Sequence, residues 1–332
     1  MWKHRMWFLA SAVYGAVLCG SLAAAETWRL KDANEWEPVT TGPQEQYLQA
    51  VAEVKKLARQ RDTKAVKKAL QKLKEDFPAR FGPDLELFIK GELQYWRDDY
   101  TKALEKFEKL LKDYPGSEFA PPTLEREFDM AEAYLQGRQK SILGIIKFAG
   151  YAEGVEIMER VSDRAGLDEP NGVGLRAAIA VAEHYERRQH YIEAYLKWSE
   201  IASYWETGPV GKQALYRMAE NNVAAYNEPP RARRASYDAS KLTTAKSYYE
   251  RFLLLYPEEA GEKDIPEKIR QIDEQLAYKQ LRIGQYYRRT GKLQASNLYF
   301  DMVVQNWPRT EAAAMARRAL EEHVEGGRAG GR

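Results

Sequence analysis

The chain has 332 residues, 44% of them hydrophobic and 30% charged, with a formal charge of +2, and its mean hydropathy of −0.63 excludes a polytopic membrane protein. A single cysteine, Cys19, excludes a disulfide framework or a Cys-rich zinc site within the chain, and the four scattered histidines (His4, His184, His190, His323) make a poor metal cluster. The length exceeds one small domain, although repeat architectures escape that prior.

Residues 1–25 begin Met-Trp-Lys-His-Arg, continue through an apolar run from Met6 to Leu22, and end Ala23-Ala24-Ala25 before Glu26. A basic start, a short apolar middle and small residues at the end predict a secretory signal peptide cleaved after Ala25. A lipid anchor at Cys19 is the disfavoured alternative, because Leu18 stands where a lipoprotein signal carries a small residue. Cleavage removes Lys3 and Arg5 and no acid, which cancels the formal excess of positive charge. No nucleic-acid partner is therefore expected, since nothing draws the chain to phosphate.

Residues 26–43 hold Trp28, Trp36, Pro38 and Pro43 without a helical period and read as an extended Trp-containing arm. Apolar residues at three-and-four spacing then predict helices almost continuously, and convincing strand runs are absent. One shape recurs. A small or modest residue precedes a bulky one by four and another apolar one by seven, before an aromatic–proline stop. The copies are Val66, Leu70, Leu73, Phe77-Pro78; Ala103, Phe107, Leu110, Tyr114-Pro115; Ala245, Tyr249, Phe252, Tyr256-Pro257; and Ser296, Phe300, Val303, Trp307-Pro308. A degenerate copy without the proline runs Tyr191, Ala194, Trp198, Ile201, Trp205. Gly91 and Gly284 lie equally far ahead of Pro115 and Pro308 and predict close approach of the two helices of a pair.

These positions resemble the tetratricopeptide repeat. Gly91, Ala103, Phe107 and Pro115 fall on four of its signature positions, and Gly284, Phe300 and Pro308 on three. The resemblance implies an all-α, tetratricopeptide-like α-solenoid of about five to six helix pairs, with these seven residues serving repeat packing. N-terminal repeats are expected at 44–170, C-terminal repeats at 171–324 and a disordered tail at 325–332. Two insertions interrupt the spacing, at 137–154 and 227–241. The first carries Ile142, Leu143, Ile145, Ile146 and Phe148; packing across the stack is its preferred reading, peripheral membrane contact the alternative. Arg231, Arg233 and Arg234 in the second read as a solvated charge run.

The repeat number, the insertion ending Gly150-Tyr151-Ala152-Glu153-Gly154 and the last unit from Ile283 to Pro308 resemble the BamD family, the repeat component of the outer-membrane β-barrel assembly machinery. That resemblance implies an exported, non-enzymatic scaffold in the periplasm or peripherally attached to the outer membrane. Its implied partners are proteins of that machinery and unfolded outer-membrane client segments. A soluble periplasmic adaptor for cell-wall or envelope-constriction machinery is the competing reading.

No catalytic, cofactor-binding or metal-binding residue is expected. The adjacent carboxylates Glu125/Glu127, Glu258/Glu259 and Glu321/Glu322 read as solvated helix faces, and His184 and His190 as surface or groove residues. Because the family's first helices face the concave surface, Phe88, Glu92, Tyr95, Tyr278, Gln285 and Arg288 are the peptide- or partner-binding candidates. Aromatic and Arg side chains bury much area at low entropic cost.

Overall fold

The computed structural model describes residues 28–32, 35–38, 43–142 and 146–329. The signal segment and Cys19 lie outside the described residues. Two compact units meet in sequence at Gly82 and Pro83.

In the first unit, the extended arm is an antiparallel hairpin of β1 (Trp28–Asp32) and β2 (Glu35–Pro38), with Trp28 opposite Pro38 and Leu30 opposite Trp36. One helix pair follows, α1 (Pro43–Arg59) and α2 (Thr63–Asp76). The turn between them places Arg61 at φ 62°, and Asp62 then caps α2 by accepting the Ala65 N–H at 2.9 Å. Val66, Leu70 and Leu73 form the buried stripe of α2.

The second unit stacks five pairs and a closing helix. They are α3 (Pro83–Trp96) with α4 (Tyr100–Asp113), α5 (Ala120–Leu135) with α6 (Tyr151–Ala165), and α7 (Val173–Arg187) with α8 (Tyr191–Tyr204). Then come α9 (Gly208–Asn227), the single turn α10 (Arg231–Arg234), and α11 (Ser240–Leu255). After the short α12 (Pro257–Glu262), α13 (Ile265–Arg289) pairs with α14 (Leu293–Asn306), and α15 (Glu311–Ala329) closes the stack. The fold is all-α and tetratricopeptide-like.

The recurring shape is the core stripe of each second helix. Ala103, Phe107 and Leu110; Ala194, Trp198 and Ile201; Ala245, Tyr249 and Phe252; and Ser296, Phe300 and Val303 are all buried. The same spacing continues in α6 as Gly154, Met158 and Val161, also buried, a copy hidden by its lack of an aromatic–proline stop. Ala103 has no exposed surface, so Ala103→Leu should cost about 1–3 kcal/mol by overpacking. Urea denaturation would read this as a lower midpoint.

Each aromatic stop is a C-cap. Phe77, Tyr114, Tyr256 and Trp307 sit near φ −133° to −136° and donate their N–H to the carbonyl four residues earlier. A following proline excludes the helical region for the residue before it. Trp205 has φ −122° and makes the same bond to Ile201 without a proline. Its indole N–H instead donates to the Leu167 carbonyl at 2.6 Å.

The turns inside the pairs put one residue in the left-handed region just before the second helix: Asp98 at 63°, Gln189 at 61° and Gly291 at 75°. Only Gly291 holds that conformation without a Cβ penalty. Gln189→Gly is therefore expected to raise stability by up to about 1 kcal/mol, after the larger chain entropy of unfolded glycine is subtracted. A higher thermal midpoint would show it.

Two local expectations change. The first insertion contains an antiparallel hairpin, β3 (Gln139–Ile142) with β4 (Ile146–Ala149), where no strand was expected. Runs of four residues are too short to display a convincing alternation. At the other end α15 continues to Ala329, into the stretch expected to be a structureless tail.

Candidate functional site

The first helices of successive pairs are joined by charge. Glu92 of α3 receives the Arg126 guanidinium of α5, Nε to Oε1 at 2.5 Å and Nη2 to Oε2 at 3.2 Å. Glu186 of α7 faces Arg217 of α9 at 3.3 Å and accepts from Asn221 at 2.7 Å and from the Trp198 indole at 2.8 Å. Glu220 of α9 takes the Lys268 ammonium of α13 at 2.6 Å and the Tyr249 hydroxyl. Arg288 of α13 donates to the Ala319 carbonyl at 3.2 Å and to Glu322 of α15 at 3.3 Å. Such bonds pin the rotation of one pair on the next, because a guanidinium fork tolerates little angular change.

Around Gly91 the expected contact residues are mostly internal. A Cβ at Gly91 would run into the Phe107 ring, so the two helices touch there. Phe88 is 2% exposed and stacks on Phe119 at 5.2 Å. Glu92 is fully buried. Both belong to the interior, and an incoming chain would not meet them; their place on the helix wheel faces the neighbouring pair instead of the open side. Tyr95 remains half-buried, parallel to the Tyr100 ring at 5.5 Å and under Arg126 at 4.6 Å. Burial, with Tyr100 and Asp129 adding to it, pushes the Tyr95 hydroxyl above its ordinary pKa. The accessible element here is thus a Tyr–Arg stack, with Asp129 bound to Arg126 at 2.8 Å.

Around Gly284 the packing repeats: a Cβ there would stand 2.7 Å from the Phe300 ring. Gln285 and Arg288 are half-buried, and Arg288 is spent on α15. Tyr278 is different, 44% exposed, and lines a groove of about 1,010 Å³ between α9, α10, α13 and α15. Tyr226, Arg234, Arg282 and Met315 share its walls. Of the six candidates, Tyr278 alone borders this groove.

Arg234 corrects the reading of the second insertion as a solvated run. Its guanidinium turns inward, donating from Nε to the Pro229 carbonyl at 2.8 Å and from Nη2 to the Asn227 carbonyl at 2.6 Å. The Tyr226 hydroxyl donates to the Arg234 carbonyl at 3.0 Å. Lys279 of α13 donates to the carbonyls of Ala235, at 3.1 Å, and Tyr237. Arg233 is exposed.

Two further corrections concern charge. Glu127, expected on a solvated face, is fully buried, and neither carboxylate oxygen has a hydrogen-bond partner. Its nearest cation is Arg164 at 3.6 Å, which is also bonded to Glu108. Burial, with repulsion from Glu108, raises the Glu127 carboxyl to about 8. His184 is likewise buried, 5.4 Å from the Tyr151 ring, and burial lowers its pKa.

Among the described residues no helix is long and apolar enough to cross a membrane. The helix pairs and their surface define a repeat protein of the tetratricopeptide kind, and residues 87–117, the α3–α4 hairpin around Gly91 and Phe107, match the tetratricopeptide-repeat family model. Residues 221–326, from the end of α9 into α15 and so including most of the groove, match the family model described as outer membrane lipoprotein, YfiO. A search of curated proteins gave no match. Solved structures similar to this chain include the C-terminal part of a TPR repeat-containing protein from Cytophaga hutchinsonii, 11% identical, covering 84% of this chain and 88% of that one with a TM-score of 0.35. The type IV pilus biogenesis factor PilW is 13% identical over 82% of this chain and 98% of its own, at a TM-score of 0.29. The apo form of RapI is 12% identical over 83% and 99%, at 0.32.

Proposed function

We propose that this protein is a non-enzymatic scaffold of the bacterial envelope that helps outer-membrane β-barrel proteins assemble. In this role its repeats bind protein segments. The observation that carries the reading is the match of residues 221–326 to outer membrane lipoproteins, on the helix pairs that border an open groove. The physical basis is general: stacked helix pairs present a long surface on which an extended chain satisfies its backbone and side chains together. The predicted signal segment supports an exported location. The half-buried Tyr95–Arg126 stack offers a second, aromatic contact on the N-terminal pairs.

The test is in-cell photocrosslinking from Tyr95 and from Tyr278, followed by identification of the attached protein. Barrel-assembly components or outer-membrane clients are expected at one or both positions. Recovery of cytoplasmic or soluble metabolic proteins alone would overturn the proposal. Depletion separates it from the cell-wall adaptor: loss of barrel proteins supports it, whereas defective division with normal barrel content sinks it.

A further inference from the structure

The groove between α13 and α15 is chemically polarised along its length. One stripe of α13 forms its floor: Gln271, Gln275, Tyr278 and Arg282, spaced so that all four share a helix face. At the end nearest the start of α15 the lining guanidinium of Arg270 is already paired with Glu267, at 2.8 and 2.7 Å, which leaves the carboxylates in excess there. Both oxygens of Glu274 are occupied there by the backbone N–H groups of Glu311 and Ala312, at 2.8 and 3.0 Å, and Glu311 itself is exposed. About two helical turns further along α13 the character reverses. Arg282 is exposed and has no acidic partner among the described residues. Arg234, held against two carbonyls, brings a second guanidinium that has no carboxylate partner among the described residues. Lys279 likewise spends its ammonium on carbonyls of the insertion. Between the two ends, Tyr278 and Met315 are 44% and 40% exposed and supply an apolar wall.

We infer that this groove takes an extended acidic peptide segment, with a carboxylate at Arg234 and Arg282 and an apolar side chain against Tyr278 and Met315. The inference rests on the scaffold reading and adds to it the chemistry of the partner. Charge complementarity selects the occupant: among the described residues the positive charges of Arg234 and Arg282 have no carboxylate partner, whereas the carboxylate Glu274 is already used. The polarity also orients it, because Glu311 repels a carboxylate at the far end. An amide side chain at Gln275, able both to donate and to accept, suits a peptide backbone better than an isolated phosphate. The groove's volume lies at the upper end of the range of about 300–1,000 Å³ for small-ligand sites, with room for a short stretch of chain. The second insertion creates the site by carrying Arg234 to the wall, and Lys279 fastens it there.

The probe is a fluorescein-labelled peptide in which glutamates flank a single leucine, compared with the same peptide carrying lysine or glutamine for glutamate. Fluorescence anisotropy with the full chain should show the glutamate peptide binding best, more weakly as salt rises. Arg282→Glu should reduce its affinity about tenfold or more, and Tyr278→Ala should also weaken it. Because Arg282 makes no bond among the described residues, the helical circular dichroism of Arg282→Glu should match the parent. Equal binding of the lysine peptide, or unchanged affinity in Arg282→Glu, overturns the inference. Binding of phosphatidylglycerol vesicles that depends on Arg282, without binding of the acidic peptide, overturns it in favour of a lipid headgroup. If Tyr95 crosslinking still captures barrel-assembly proteins in those cases, the scaffold reading stands and this inference alone falls.

Discussion

Trp198→Ala is expected to lower the stability of the second unit by about 3–5 kcal/mol. Trp198 has no exposed surface and fills the space between α7, α8 and α9, against Leu175, Ala178, Ala182 and Met218. It does two things that alanine cannot. Its ring occupies the volume that the small residues of α7 leave open, and its indole N–H satisfies one oxygen of Glu186. Truncation removes both the apolar area and a donor to a mostly buried carboxylate, whose remaining partners are Asn221 and Arg217. Trp198→Phe shifts the balance between the terms, since it keeps most of the packing and loses the hydrogen bond. Chemical denaturation should place it between the parent and the alanine variant. A Trp198→Ala midpoint equal to the parent's would show that the pair does not depend on this side chain.

Glu127 is expected to make stability fall between about pH 4.5 and 8. Its carboxyl has a folded-state pKa near 8, above the value of an unfolded glutamate. The folded chain therefore holds the proton through that interval while the unfolded chain releases it. The stabilisation is fully present below the unfolded pKa and is lost as pH rises through the folded one. At its limit the difference is on the order of 5 kcal/mol. Glu108, Arg160 and Arg164 face the group from α4 and α6. The Glu108 carboxyl, despite its burial, is held below its ordinary range by the two arginines, so it titrates below this interval. His184 works in the opposite direction: its lowered pKa costs stability as pH falls below about 6.5. Subtracting Glu127→Gln from the parent isolates the carboxyl. Urea denaturation at pH 5, 7 and 9 should show the variant gaining on the parent as pH rises, and parallel curves would refute the assignment.

The helix pairs were legible in the chain because their determinants are local. A small residue, a bulky one four later and an apolar one three after that share one helix face whatever surrounds them. An aromatic–proline step ends a helix through steric exclusion within the dipeptide. Gly91 with Phe107 and Gly284 with Phe300 meet across a single hairpin, where the turn between the helices dictates the register. The stripe on α6 is harder to read in the chain because no aromatic–proline stop marks its end.

The tertiary structure alone decided which polar groups face inward. Arg126 lies in the next pair from Glu92, and nothing near either residue announces the other; their meeting consumes a carboxylate that reads as a free groove residue until the next pair is in place. Glu127 shares its helix with the exposed Glu125 yet is buried, because α6 covers that side of α5. Arg234 reads as one charge of a solvated run until the insertion folds back and its own carbonyls claim it. Burial of a charge depends on what packs above it, whether the partner helix of its own pair, the following pair or an insertion that folds back, and periodicity along one helix does not reveal which.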